Sequence, residues 1–244
     1  MKLVGWLLVA VAVTATWKLA CYWAGYAVVC PEIVFLHLLN ADPNTIASAI
    51  AITLSNTLMG FILASIAAYA SVFLGTIHPT LWDFFSSLNV LVQSISILIW
   101  ALLGLALFGV ASRLPAILVA FAASYPILLS SLLTSIERLR KSYWELSKML
   151  KLNRVQELVY ILVPGSLPVY VSAARSAFGV ALRVSVVAEA FGASGGVGYM
   201  LMLSYSLGDL VGFYMWALLL IALMLFVDRV LFYQLERLAA RWVG

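Results

Sequence analysis

Apolar residues run through this chain in long unbroken stretches, separated by short polar ones. A helix needs about 20 mainly apolar residues to cross the hydrocarbon core of a bilayer. Six stretches meet that length and predict spanning helices over roughly 3–26, 48–74, 88–110, 113–135, 166–190 and 210–233. The first follows Lys2, as a secretory signal would. Its apolarity continues past residue 15 without a small-x-small cleavage pattern, so it is read as a span. Only Ala111, Ser112 and Arg113 separate the third and fourth stretches. They predict a tight helical hairpin with Pro115 in the first turn of its second arm. No internal repeat, low-complexity tract or linker interrupts residues 1–244, so the expectation is a single all-α membrane domain.

The one long polar stretch, 136–163, is amphipathic. Leu146, Met149 and Leu150 fall at i, i+3 and i+4, with Glu145, Ser147, Lys148 and Lys151 on the other faces. Asn153 is placed as the N-cap of a second helix, and Gln156 three residues on completes a capping-box pattern. Val155, Leu158, Val159 and Leu162 form that helix's apolar stripe, and Pro164 and Pro168 mark re-entry into the membrane. The pattern draws a helix–turn–helix between spans four and five. Pattern alone fits a surface-lying connector equally well.

Composition agrees with the spans. Of 244 residues, 65% are hydrophobic and 10% charged, and the mean hydropathy is +1.09. A soluble domain carries about 25% charged residues. Lipid must cover much of this apolar surface, which argues against a soluble enzyme, a disordered chain or a nucleic-acid-binding domain. In such a chain the placement of positive charge matters more than the net +4. With the N-terminus inside, the inner segments hold Lys2, Arg138, Arg140, Lys141, Lys148, Lys151, Arg154, Arg229, Arg237 and Arg241, and the outer ones hold Arg113 alone. Both termini are therefore expected in the cytoplasm. Cys21 and Cys30 are too few for a disulfide framework or a four-ligand zinc site. They are free to pair, but are read as plain small apolar residues.

The polar stretch also carries a resemblance. Glu145, Lys151 and Ile161-Leu162-Val163-Pro164 are spaced like the EAA loop of binding-protein-dependent ABC importer permeases, E-A-A-x3-G-x9-I-x-L-P. Glu145, Ile161 and Pro164 match in register, while Leu146-Ser147 replace the alanines, Lys151 the glycine and Val163 the leucine. Downstream, Arg175, Gly179, Ala188-Glu189 and Gly192 to Tyr199 are similar to the segment L-R-x3-G, A-E, G-x-G-Y of the nitrate/sulfonate/taurine/bicarbonate branch. Trp17 and Phe108-Gly109-Val110 also fall where that branch has similar residues. The resemblance covers about 15–240 and is densest over 137–199.

It implies the half-channel of a type I importer, with an EAA-like coupling loop over 136–165. Leu146, Met149 and Leu150 would fill a groove of an ABC ATPase subunit, and Glu145 would offer it an anionic contact. A short rigid helix can pass rigid-body motion to the spans that flank it. Further implied partners are a second permease copy, making a homodimer, and an extracytoplasmic substrate-binding protein, all in the lipid of the cell membrane. The implied solute is a small anion such as nitrate, a sulfonate, taurine or bicarbonate. Lys151 departs from the pattern. Glycine there takes a left-handed turn at no steric cost, whereas lysine must adopt φ > 0 with strain or the turn must change shape around Asn153.

Other residues stand out by position. Glu189 is an ionisable group at membrane depth, a functional candidate by default. The plainer reading is a structural ion pair with Lys18, Arg183 or an arginine of a second protomer. Arg175 and Arg183 lie eight residues apart, about 80° around a helix, and are candidates to face one interior and favour an anion. Their plainer reading is a pairing with Glu189 or Asp228, or snorkelling for Arg175. The run Gly192-Ala193-Ser194-Gly195-Gly196-Val197-Gly198 predicts irregular backbone, either a gate or re-entrant element or a plain external turn. Around Gln93, Ser94, Ser96 and Trp100 the branch carries prolines that this chain lacks, so a straighter third span is expected.

Rival classes fare worse. Gly192-Ala193-Ser194-Gly195 fits the G-x-S-G of rhomboid-type proteases, but the chemistry needs a histidine base. The histidines, His37 and His78, both lie upstream in expected loops. A channel or ion-coupled carrier usually places several carboxylates within its spans, and here Glu189 stands nearly alone. No lysine sits in G-x4-G-K-[ST], so a phosphate-cradling loop is missing. If transport is ATP-driven, ATP binds another chain; this one is expected to be non-catalytic, with no metal or cofactor of its own.

Overall fold

The computed structural model describes residues 2–24, 28–192 and 194–232. Arg237, Arg241 and Ala193, which entered the charge and loop readings, lie outside the described residues. Within them the chain is helical, with no strand.

Three long helices make the core: α3 (Pro43–Ile77), α6 (Leu114–Ser142) and α9 (Val163–Gly192). Their contact faces are built from small residues and leucines. Ala64, Ala68 and Val72 of α3 meet Leu128, Leu129, Leu132 and Ile136 of α6 and Ala173, Ala174 and Ala177 of α9. Lipid tails are as apolar as leucine, so such helices associate through close packing. At Gly60 the approach is closest, since a Cβ there would lie 2.5 Å from the Ile117 carbonyl oxygen.

Among the described residues four helical runs are long and apolar enough to cross a membrane: Pro43–Ile77, Leu114–Ser142, Arg154–Gly192 and Leu210–Arg229. A fifth is formed if α4 (Pro79–Ser94) and α5 (Ile97–Phe108) count as one span. The first expected span is occupied by α1 (Lys2–Ala24), and α11 (Leu210–Phe226) opens the last. Two short helices, α2 (Pro31–Asn40) and α10 (Val197–Ser206), lie in connections the hydropathy pattern leaves blank.

The third span is not straight. α4 and α5 meet at 93°, because Ile95 and Ser96 are both extended, with ψ of 126° and 140°. The cause is the polar content of α4. Asn89 and Gln93 both donate to the Ser130 hydroxyl of α6, at 2.7 and 3.2 Å. They pin the end of α4 to the core, while α5, apolar throughout, continues in another direction. Side-chain amides bend this span without the prolines the expectation relied on.

The two cysteines also correct their reading: Cys21 and Cys30 form a disulfide, with Cα atoms 5.3 Å apart. The end of α1 is tied to α2 and the connection before it at two further points. Trp17 Nε1 donates to the Val29 carbonyl at 3.0 Å, and Lys18 lies 2.6 Å from Glu32. Lys18 therefore does not pair with Glu189.

At the other end α6 runs on to Ser142, and α7 (Trp144–Met149) follows after one residue. The second helix of the expected helix–turn–helix is not a separate element. α8 (Arg154–Glu157) passes through a π turn, Leu158–Leu162, directly into α9. Pro164 explains the π turn, since it lacks an N–H and crowds the carbonyl four residues back. The apolar stripe splits as a result. Leu158 and Leu162 are buried, whereas Val155 and Val159 are about half exposed.

Candidate functional site

The 143–157 segment is built by two end-caps placed back to back. α7 closes with a Schellman motif: Leu152 N–H donates to the Ser147 carbonyl at 3.1 Å and Lys151 N–H to the Lys148 carbonyl at 3.2 Å. This geometry requires a left-handed residue just past the helix end, and Lys151 takes φ +49° there. Lysine thus adopts the glycine conformation, the first of the two alternatives open at that position. Asn153 then starts α8 through a complete capping box, with Gln156 N–H on Asn153 Oδ1 at 2.8 Å and Asn153 N–H on Gln156 Oε1 at 3.0 Å.

The segment is anchored by its polar side. Ser147 is buried. Arg140 lies 3.7 Å from the nearly buried Glu157. Arg154 donates to the carbonyls of Thr76 and Ile77, at the C-terminus of α3, where the helix dipole favours a cation. The apolar side faces out: Leu146 is 44%, Met149 81% and Leu150 59% exposed. Glu145 and Lys148 are exposed beside them. A short helix that buries its serine and presents its leucines and methionine is inverted relative to a surface connector. Ile161 is half-buried against the core, and Pro164 is exposed where the π turn ends.

Glu189 is fully buried. Its Oε2 accepts from Thr53 Oγ1 at 2.7 Å and from Gly198 N–H at 3.2 Å, and its Oε1 accepts from Asn56 Nδ2 at 3.0 Å. Thr53 in turn accepts from Val197 N–H at 2.8 Å. The carboxylate therefore joins α3, α9 and the start of α10 without a basic partner among the described residues. The expected ion pair is replaced by hydrogen bonds, because the glycine run folds back over the carboxylate. Gly196 has φ +107°, and a Cβ on it would lie 2.4 Å from Glu189 Oε2. A Cβ on Gly198 would lie 2.2 Å from the Val186 carbonyl oxygen. Gly195 sits half-buried beside Ile52, and Ser194 is exposed. The tip of the α5–α6 hairpin closes on the same place, with Ala111 N–H 2.6 Å from the Gly192 carbonyl. Sequence reasoning singled out Glu189 and the glycines but missed Thr53 and Asn56. The signal was present as three polar residues, Thr53, Asn56 and Thr57, on one face of a mainly apolar run.

The two arginines part company. Arg175 lies against Asp228, with Nη2 3.1 Å from Oδ1 and 3.2 Å from Oδ2. Arg183 is exposed, and among the described residues no carboxylate pairs with it. A groove runs between α6 and α9. Three adjoining recesses of about 600, 480 and 510 Å³ share Ser131 of α6. Hydroxyls line it from both walls: Ser130, Ser131 and Thr134 from α6, Ser172 and Ser176 from α9. Gln93 and Ser96, at the bend of the third span, edge one end, and Arg138 edges the other.

This arrangement meets its relatives over most of its length. Residues 57–240 match the family described as "Binding-protein-dependent transport system inner membrane component". The chain belongs to that family. The permease is similar to the nitrate import permease protein NrtB of Synechococcus elongatus, 28% identical over 46% of this chain and 39% of that one. It is also similar to the NrtB of Leptolyngbya laminosa, 22% identical over 66% of this chain and 57% of that one. The matches thus span two-fifths to three-fifths of those relatives' lengths. In fold the permease is similar to a chain in the crystal structure of an amino acid ABC transporter with histidines. The TM-score is 0.67 at 16% identity, over 83% of this chain and 97% of that one.

Proposed function

We propose that this permease forms one half of the solute passage of an ATP-driven importer in the cell membrane, and that α7 is the element through which an ABC ATPase drives it. The observation that carries the reading is the outward apolar face of α7. Leu146, Met149 and Leu150 are exposed, Ser147 on the other face is buried, and Arg154 and Glu157 of the α8 turn that follows tie the segment to α3 and α6. Exposed apolar side chains on a rigid, firmly anchored helix are what a groove on a partner recognises. The anchoring gives motion of α7 a path through the α8 turn into the continuous Arg154–Gly192 run.

The rest follows from the same face of the molecule. The hydroxyl-lined groove along α6 and α9 is half a passage, closed by a second copy of the chain. Placing α7 in the cytoplasm puts both termini there and follows the positive-inside rule. A binding protein on the outer face delivers the solute, and the passage alternates its access. The NrtB relatives are named for nitrate import, which supports a small anion as solute. ATP binds the partner, since this chain lacks the phosphate-cradling G-x4-G-K-[ST] pattern.

Recovery of the tagged chain from host membranes in mild detergent, with mass spectrometry of the eluate, tests the reading. The expected result is an ABC ATPase near one-to-one, lost on Glu145→Arg. Recovery of this chain without an ATPase, where a control transporter keeps its own, would leave a channel or ion-coupled carrier in its place.

A further inference from the structure

Among the described residues, several charges deep in the helices of this protein have a partner, and Arg183 stands apart from them. Lys18 has Glu32, Arg175 has Asp228, and Glu189 takes three hydrogen bonds. Arg183 is exposed, and no carboxylate answers it among the described residues. It lies nine residues before the end of α9 at Gly192, about 13 Å along the helix. A guanidinium at that depth is strongly disfavoured against acyl chains, so it faces protein or water.

Its neighbours on the helix say which. Ser172, Ser176 and Gly179 precede Arg183 at intervals of four, three and four residues, which places all four on one face. Ser172 and Ser176 line the groove, and Val180, one turn before Arg183, lines its adjoining recess. Gly179 has nothing within 4 Å of where a Cβ would stand, so the stripe is open beside Arg183. Hydroxyls rotate to donate to whatever passes. A row of them leading to an unanswered cation is a surface for an anion and a poor one for a cation.

We propose that Arg183 is the specificity-determining residue of the passage, and that it selects small oxyanions, sulfonates or carboxylates by charge. The proposal rests on the reading of the groove as the solute passage. Its substance is the residue: the guanidinium binds the anion's oxygens, and the hydroxyls of Ser176 and Ser172 receive them next along α9. Arg175, although nearer the inner end of the same helix, has no such role because Asp228 neutralises it.

The charge at Arg183 can be read without knowing the natural solute. Cys21 and Cys30 are bonded to each other, so Ser176→Cys supplies a free thiol in the groove, seven residues and about 10 Å from Arg183. The native complex in host membranes is treated with two methanethiosulfonates, one bearing a sulfonate and one a trimethylammonium group. Both are expected to react, and Arg183→Gln is expected to lower the anion-to-cation rate ratio about fivefold, the effect of one unit charge at that distance in a largely aqueous groove. Arg183→Lys keeps the ratio and Arg183→Glu inverts it. Because Arg183 is exposed, these substitutions leave the packing of α9 intact. A ratio indifferent to Arg183→Gln overturns the proposal and means that a carboxylate, for instance on a second copy, already neutralises it. A thiol at 176 that neither reagent reaches overturns it as well. ATPase recovery from the same membranes separates the two claims. An ATPase with an unchanged ratio removes the selectivity and keeps the importer, while a shifted ratio without an ATPase upholds Arg183 and removes the importer.

Discussion

Lys151 holds φ +49° because the Schellman closure of α7 leaves that residue no other conformation. A left-handed non-glycine residue costs about 1–2 kcal/mol, and glycine's extra freedom in the unfolded chain returns about 0.4–1 kcal/mol of that. Lys151→Gly is therefore expected to raise the unfolding midpoint in detergent by about 2 °C, and Lys151→Val to lower it; a fall with glycine would contradict the cap geometry. At Glu189 the donors decide. Glu189→Ala strands Thr53, Asn56 and Gly198 in the core, at about 1–3 kcal/mol for each unmet donor. Glu189→Gln keeps the shape and one acceptor oxygen. The alanine variant is expected to lose most of its folded yield and the glutamine variant much less, as judged by size-exclusion profile; equal losses would mean that the carboxylate is not the tie. Likewise Gly198→Ala drives a Cβ to 2.2 Å from a backbone carbonyl and is expected to cost about 2–4 kcal/mol. Gly179→Ala, in open space, is expected to leave folding unchanged.

At the scale of elements, the disulfide ties α1 to the connection leading into α2, and the proposed orientation makes a prediction about it. Disulfides persist in oxidising compartments, so with α7 in the cytoplasm Cys21 and Cys30 are expected outside. In right-side-out vesicles an impermeant maleimide is expected to label neither cysteine, and to label both after an impermeant reductant. Labelling without reduction, or only after permeabilisation, would reverse the topology or remove the bond. The capping box at Asn153 and the start of α6 were legible in the sequence because local hydrogen bonding and helix-starting proline act over three or four residues, whereas α6 runs seven residues past the expected 135, into the charged stretch that hydropathy ends on. The bend between α4 and α5 was not. It depends on Asn89 and Gln93 reaching Ser130, some 40 residues away, and no window of hydropathy contains that pairing. The partners of Glu189 were hidden for the same reason, at sequence separations of 136 and 133 from the carboxylate.

In the whole molecule the family fold is carried by α3, α6 and α9, whose small residues allow close packing. The spans and the EAA-like spacing were legible because each is a property of a continuous stretch. The groove was not, because it depends on how α6 and α9 pack, which sets Ser131 against Ser172 across the turn between them. The account makes one side of this core a passage and one end of it a coupling surface. The most direct test is at Met149, the most exposed residue of the apolar face of α7. With Met149→Cys carrying a thiol-linked photocrosslinker in native membranes, the account predicts a covalent adduct with an ABC ATPase subunit, weakened by Glu145→Arg. An adduct only with lipid or with this chain, under conditions where a control importer's coupling helix captures its ATPase, would contradict it.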